Sequence, residues 1–345
     1  MPQAATLLPQ WRGEAVTPLH PDTAFNGFIC AHVVHALQGL GLLDELDGGA
    51  VDLAGFSAAH RLDADVVRAL AAAAARFGYL EVRDDHAVAM PLIADARRVL
   101  GFFTWGVGGY HDVFAHAAAL ARGERRFGVD LHRDEGMVAL GSAQADRALM
   151  RHLLDEQIAQ LDFGLLVDLG AGVSERVSRL VRGRARSRGI GIDISEPATE
   201  LGRQTVARYQ LSDRVEPVCA DVLDILFAGH RVGAAEQADV VMSFMFLHDL
   251  LADPVRRDQV VPRLRDAFPK AHTFLLADTT VSPAGGDDDR LPIFSSGFEL
   301  AHALMGVPIY TREQYERLFD AGGMRLRRTV AFGAPHTYLF VLEPA

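Results

Sequence analysis

The chain has 345 residues, of which 49% are hydrophobic and 23% charged, and its formal net charge is −11. That length fits two domains better than one core, and the composition is globular rather than disordered. The acidic balance argues against general nucleic-acid binding, and the densest basic stretch, Arg176 to Arg188, has the spacing of a solvated helix face.

The two cysteines, Cys30 and Cys219, sit far apart in apolar surroundings and lack a C-x-x-C spacing. They read as two buried, reduced thiols of a cytoplasmic protein. The first twenty or so residues read as a loose arm. They hold neither a basic start with an apolar core nor a run able to span a bilayer, so neither a signal peptide nor a membrane helix is expected.

From Thr23 to Leu46 the apolar positions Phe28, Val33, Val34, Leu37, Leu40 and Leu43 recur at helical spacing. A second unit starts at Asp52 and continues as a helix from Asp63 to Phe77-Gly78. Tyr79 to Val82, the turn Asp84-Asp85 and Ala87 to Met90 then form a short hairpin. This order is that of a winged helix over residues 1–100. The alanine-rich second helix, with only Arg68 and Arg76 as basic residues, suits packing against another subunit better than contact with phosphates. Residues 101–160 read as a helical connector with an aromatic, glycine-rich piece, Gly101 to Tyr110, and a helix from about Ser142 to Leu161.

Residues 161–345 change pattern. Short apolar runs at Leu165–Leu169, Gly189–Ile194, Val215–Cys219, Val240–Phe244, Thr273–Ala277, Arg325–Ala331 and Tyr338–Leu342 alternate with helical stretches. That predicts an α/β domain with a mainly parallel sheet ending in an antiparallel hairpin. Ala284 to Asp289 reads as a polar loop.

The run Leu165-Leu-Val-Asp168-Leu-Gly170-Ala-Gly172 is a strand entering a glycine turn before a helix, which suits close approach of a nucleotide-like ligand. Glu175 stands where a dinucleotide fingerprint needs its third glycine, so NAD is disfavoured. Asp193 ends the second strand, where a carboxylate can accept from ribose hydroxyls. Asp221, before Val222, ends the third, where a carboxylate can accept an adenine amino proton. Asp168 is placed to orient the turn or meet an ammonium group. This order of motifs resembles the class I S-adenosylmethionine-dependent methyltransferases over residues 165–280. The resemblance implies a Rossmann-like domain whose cofactor contacts are Asp168, Gly170, Gly172, Asp193, Asp221, Val222 and Ser243. The whole chain is similar to the plant O-methyltransferase type, which implies an all-helical winged-helix dimerisation domain at the N-terminus, a homodimer, a small-molecule substrate, and no nucleic-acid or membrane partner.

The fourth strand runs into Phe246-Leu-His248-Asp249-Leu250. The O-methyltransferases read His-Asp-Trp there and use the His as general base; Leu250 departs from that pattern. Gly297-Phe-Glu299-Leu-Ala-His302-Ala-Leu-Met-Gly306 adds a second histidine on a later helix. Two imidazoles and one carboxylate form a donor set suited to iron or zinc. The combination looks like the metal-dependent α-keto acid β-C-methyltransferases. That resemblance implies a metal on His248, Asp249 and His302, a substrate-carboxylate contact at Arg133, an active-site tryptophan at Trp105, and methylation of a metal-chelated enolate for a β-methyl amino acid of a natural product. Metal-bound hydroxide and Glu299, at i, i+3 from His302, are both open as the base that takes the β-proton. Phe102, Phe103, Trp105, Phe244, Phe246, Phe294, Phe298 and Met305 predict an apolar pocket and a branched-chain or phenylpyruvate-like substrate. Metal-free O-methylation with His248 as base is the alternative. A regulatory winged-helix protein that has lost cofactor binding is a third, and it sits poorly with intact glycines and acids.

Overall fold

The computed structural model describes residues 18–282 and 293–345; most of the N-terminal arm and the Ala284–Asp289 loop lie outside the described residues. Helix α1 (Pro21–Gly39) starts on a proline, whose missing N–H costs nothing at a helix entry. It stops before Gly41, whose φ of +81° ends the continuous helix read through Leu46. β1 (Val51–Asp52), α2 (Leu53–His60), α3 (Ala64–Arg76), β2 (Leu80–Arg83) and β3 (His86–Ala89) follow. Asp63 caps α3 through the N–H groups of Asp65 and Val66. The three strands pair antiparallel in the order β1-β3-β2, which gives the hairpin read from Tyr79 to Met90 plus a two-residue third strand, so the all-helical description implied by the resemblance does not hold. Val33, Leu37, Leu53, Phe56, Val67 and Leu80 close its own core.

The connector contains α4 (Leu100–Phe103), a π-helical turn (Thr104–Gly109), α5 (Glu135–Ala145), a second π-helical turn (Asp146–Met150) and α6 (Arg151–Ile158). π-helical turns are rare and cluster at functional sites. No single helix among the described residues is long and apolar enough to cross a membrane.

The C-terminal sheet has seven strands: β4 (Leu165–Leu169), β5 (Arg188–Asp193), β6 (Val215–Cys219), β7 (Val240–Phe244), β8 (Thr273–Thr279), β9 (Met324–Ala331) and β10 (Thr337–Pro344). Their order is β6-β5-β4-β7-β8-β10-β9, parallel except for β10, which pairs antiparallel with both β8 and β9. Strands β7 and β8 are buried along their whole length, which explains their unbroken apolar runs. Helices α7 (Glu175–Arg182), α8 (Glu196–Arg208), α9 (Leu247–Leu250), α10 (Arg257–Ala267), α11 (Ser295–Met305) and α12 (Arg312–Ala321) complete the domain. Two apolar clusters pack its faces, one with Leu169, Leu264 and Phe319, the other with Leu154, Leu180 and Leu339. This is a Rossmann-like sheet, and its strand order reverses at β4, where ligands bind beyond the carboxyl ends.

Candidate active site

The turn after β4 is built for close approach. Gly170 and Gly172 have φ of +69° and +52°, and a Cβ on Gly170 would stand 2.7 Å from the Phe246 ring. Only glycine takes that conformation without strain. Asp193, at the end of β5, ties the turn down: its Oδ2 accepts from Gly172 N–H at 2.7 Å and its Oδ1 from Ser195 N–H at 2.9 Å. Burial raises the Asp193 pKa against those two hydrogen bonds. Each oxygen keeps a lone pair for another donor.

One deep cleft joins this turn to the connector and to α11. Gly170, Gly172, Asp193 and Val222 line one end, and Trp105, Arg133, His248, Asp249 and His302 the other. Asp221 is half-buried, accepts the Leu223 N–H at 2.8 Å, and lies beside the cleft wall rather than in it. Asp168 and Ser243 are fully buried beneath the floor. No hydrogen-bond partner reaches either Asp168 oxygen or the Ser243 hydroxyl among the described residues. Burial pushes the Asp168 carboxyl up to about 7, with Arg176 opposing. Orphaned buried acceptors beside a glycine cradle fit a bound group that carries hydroxyls and an ammonium.

At the other end His248 is 2% exposed. Its Nδ1–H donates to Asp278 at 2.8 Å, which leaves Nε2 as the ring's open lone pair, 3.6 Å from the Asp249 carboxylate. Burial disfavours the charged ring, but Asp278 and Asp249 outweigh it and raise the His248 pKa. Asp278 also accepts from His248 N–H, Thr279 N–H and the Tyr315 hydroxyl. Sequence reasoning missed Asp278 and Tyr315.

His302 lies edge-on to His248, with ring centroids 4.4 Å apart. Its Nδ1–H donates to the Phe298 carbonyl at 2.7 Å, so its Nε2 also keeps a lone pair. Burial, and then the neighbouring His248, push its pKa down to about 2, so the ring stays neutral. Neutral imidazoles oriented through Nδ1 are how metal-binding histidines are set. The donor chemistry therefore fits an ion. In the conformation described, however, no group of three or more His, Cys, Asp or Glu side chains is gathered to hold one among the described residues. Arg133 stands 4.0 Å from Asp249 and donates to the Tyr110 hydroxyl at 2.7 Å.

Glu299 is not where the helical spacing placed it. Its carboxylate accepts the Ser282 N–H at 2.9 Å, and it does not line the cleft. Of the eight residues expected in the apolar pocket, Phe103 and Met305 stay outside the cleft wall. Trp105 contacts Phe294 at 5.1 Å and Phe298 at 6.4 Å between ring centroids. Met245 and Phe294, both in the wall, hold φ of +57° and +75°, strain that is kept at functional sites. Arg176 corrects the solvated-face reading: its side chain is 11% exposed and lies on the Phe244 ring, 3.9 Å from Cζ to centroid. The cysteines are corrected too, since Cys219 is exposed and Cys30 half-buried, both as free thiols.

No family model matches the chain. It is 27% identical to the methyltransferase ungE' of Aspergillus campestris over 328 residues, covering 91% of this chain and 93% of that protein. It is 28% identical to the indolepyruvate C-methyltransferase of Streptomyces griseus over 207 residues, 58% of this chain and 60% of that one. The solved structure of the mitomycin 7-O-methyltransferase MmcR superposes with a TM-score of 0.62 at 19% identity, covering 94% of this chain and 96% of that chain. With the glycine cradle and strand-end acids in place, these relatives support one class: the chain is an S-adenosylmethionine-dependent methyltransferase, similar in fold to the mitomycin O-methyltransferase.

Proposed function

We propose that this enzyme methylates the β-carbon of a hydrophobic α-keto acid on the way to a β-methyl amino acid of a natural product. The observation that carries the reading is the neutral imidazole of His302 beside His248, each presenting Nε2 with its Nδ1 already bonded. A general base needs no second buried neutral imidazole 4.4 Å away, whereas a metal site does. The relative named for C-methylation of indolepyruvate, itself an α-keto acid, supports the same choice.

In this reading His248, Asp249 and His302 hold iron or zinc. When bound, the ion would act as a Lewis acid toward the substrate's keto oxygen. S-adenosylmethionine supplies the methyl as an electrophilic sulfonium group. Asp278 fixes the His248 ring. Arg133, held by Tyr110, receives the substrate carboxylate. Trp105, Phe294 and Phe298 seat the apolar side chain and keep water from the reacting carbon. Asp193, Asp221 and Val222 take the adenosine. The exposed Phe25, Phe28 and Ile29 on α1 offer an N-terminal surface for a homodimer.

A second reading, metal-free O-methylation, is favoured by one observation: the His248–Asp278 pair is also how a general base is oriented. Metal analysis separates the two. Purified protein should carry one iron or zinc per chain, and His302→Ala should lose both metal and activity. Full activity in strong chelator, with a metal-free protein, would refute C-methylation by this route.

A further inference from the structure

Asp146 opens the π-helical turn between α5 and α6, is 2% exposed and lines the cleft. Its Oδ1 accepts from Arg176 Nε at 3.1 Å, and its Oδ2 has no partner among the described residues. Asp168 faces the same guanidinium, with Arg176 Nη1 3.7 Å from its Oδ2. Two buried carboxylates thus share one arginine, which leaves one negative charge without a counterion at the cofactor end of the cleft. The neighbouring acid, Glu175, does not compete. Arg151 and Arg208 lie 3.4 and 3.2 Å from it, and the Tyr209 hydroxyl donates to it.

A buried, unpaired carboxylate is tolerated where a cation arrives to complete it. The cofactor carries a primary ammonium on its amino-acid end. We infer that Asp146, in the cleft wall, forms the seat for that ammonium, with Asp168 adding its negative charge from beneath the floor and Arg176, also in the wall, bridging the two acids. One acid comes from the connector and one from β4, so cofactor binding joins the two parts of the chain. Burial raises the Asp168 pKa to about 7, as expected of an acid that lacks its cation. This inference rests on the cofactor assignment and adds Asp146 and Arg176 to it.

The test is calorimetric binding of two probes, S-adenosylhomocysteine and 5′-methylthioadenosine. Both carry adenosine and a thioether, and only the first carries the amino-acid end. Asp146→Asn should weaken S-adenosylhomocysteine roughly tenfold or more, the usual worth of a hydrogen bond to a charged group, and spare 5′-methylthioadenosine. Unchanged binding of the first probe, or equal weakening of both, would overturn the seat. Asp146→Ser, read by the same two outcomes, serves if the Asn variant does not fold. Wild-type protein that binds neither probe would instead overturn the cofactor assignment itself.

Discussion

His248 and His302 meet edge to face, with centroids 4.4 Å apart and planes at 86°. Their pKa values shift in opposite senses: burial, and then the neighbouring His248, lower that of His302, whereas Asp278 and Asp249 outweigh burial and raise that of His248. The buried carboxylate of Asp278 sets this arrangement. Asp278→Asn should therefore lower kcat/KM by roughly 10- to 100-fold, the usual cost of losing a carboxylate behind a working histidine. Tyr315→Phe removes one of the four donors to Asp278 and should cost only about 1 kcal/mol of stability. Steady-state kinetics and thermal melts on both variants check this.

Arg133 has a division of labour to reveal. If it receives the substrate carboxylate, Arg133→Met should raise KM for the keto acid by about 10- to 100-fold, the worth of one charge-assisted hydrogen bond. Binding of S-adenosylhomocysteine should not change. Tyr110→Phe removes the hydroxyl that holds the guanidinium and should shift KM in the same direction by a few-fold at most. Equal losses in both ligands would contradict the assignment.

Asp168 predicts a pH dependence. Its folded pKa of about 7 lies above the ordinary 3.8. Between those values the folded chain binds the extra proton, so this group's contribution to stability is complete below about pH 4 and is lost as pH rises toward 7. Burial is the main cause of the rise; Arg176 opposes it, and the carboxylates of Asp146 and Asp193 add to it. Asp168→Asn should thus be more stable than wild type at pH 8 without cofactor, by on the order of 4 kcal/mol at most, and the gap should close near pH 4. Denaturant melts across that range measure it. Cofactor affinity should move the other way, rising through pH 7 in wild type as the carboxylate forms.

Gly141 sets the wall that carries Trp105. A Cβ there would lie 2.8 Å from both the Gly101 carbonyl oxygen and the Trp105 nitrogen. Gly141→Ala should push α5 off the π-helical turn, cost about 1–3 kcal/mol as overpacked sites do, and raise KM for the apolar substrate. A melt and a substrate titration on one preparation separate the two effects.

Much of this site is written locally. Asp168, Gly170 and Gly172 share one short run; apolar runs with strand-end acids located β5 and β6 to within a residue or two, and the apolar run alone located β7. Asp278 ends β8 in the same manner, and the strand-end rule that singled out Asp193 and Asp221 would have found it. Asp146 gave no such signal, because an acid beside Ala145, Leu149 and Met150 reads as the polar face of a helix until Arg176 folds over it. Glu299 shows the converse. Spacing of i, i+3 fixed its helix face, but a backbone N–H from Ser282, beyond the reach of helical periodicity, claimed its carboxylate. The break of α1 at Gly41 and the two-residue strand β1 were likewise too short to show in a periodic pattern.

The most direct measurement uses S-adenosylmethionine labelled with ¹³C at the methyl group, phenylpyruvate and indolepyruvate as keto acids, and a panel of phenols. The product's NMR spectrum then locates the label. The expected result is a labelled methyl on the β-carbon of a keto acid, lost in His302→Ala. A labelled methyl on oxygen, with His302→Ala still active, would contradict it.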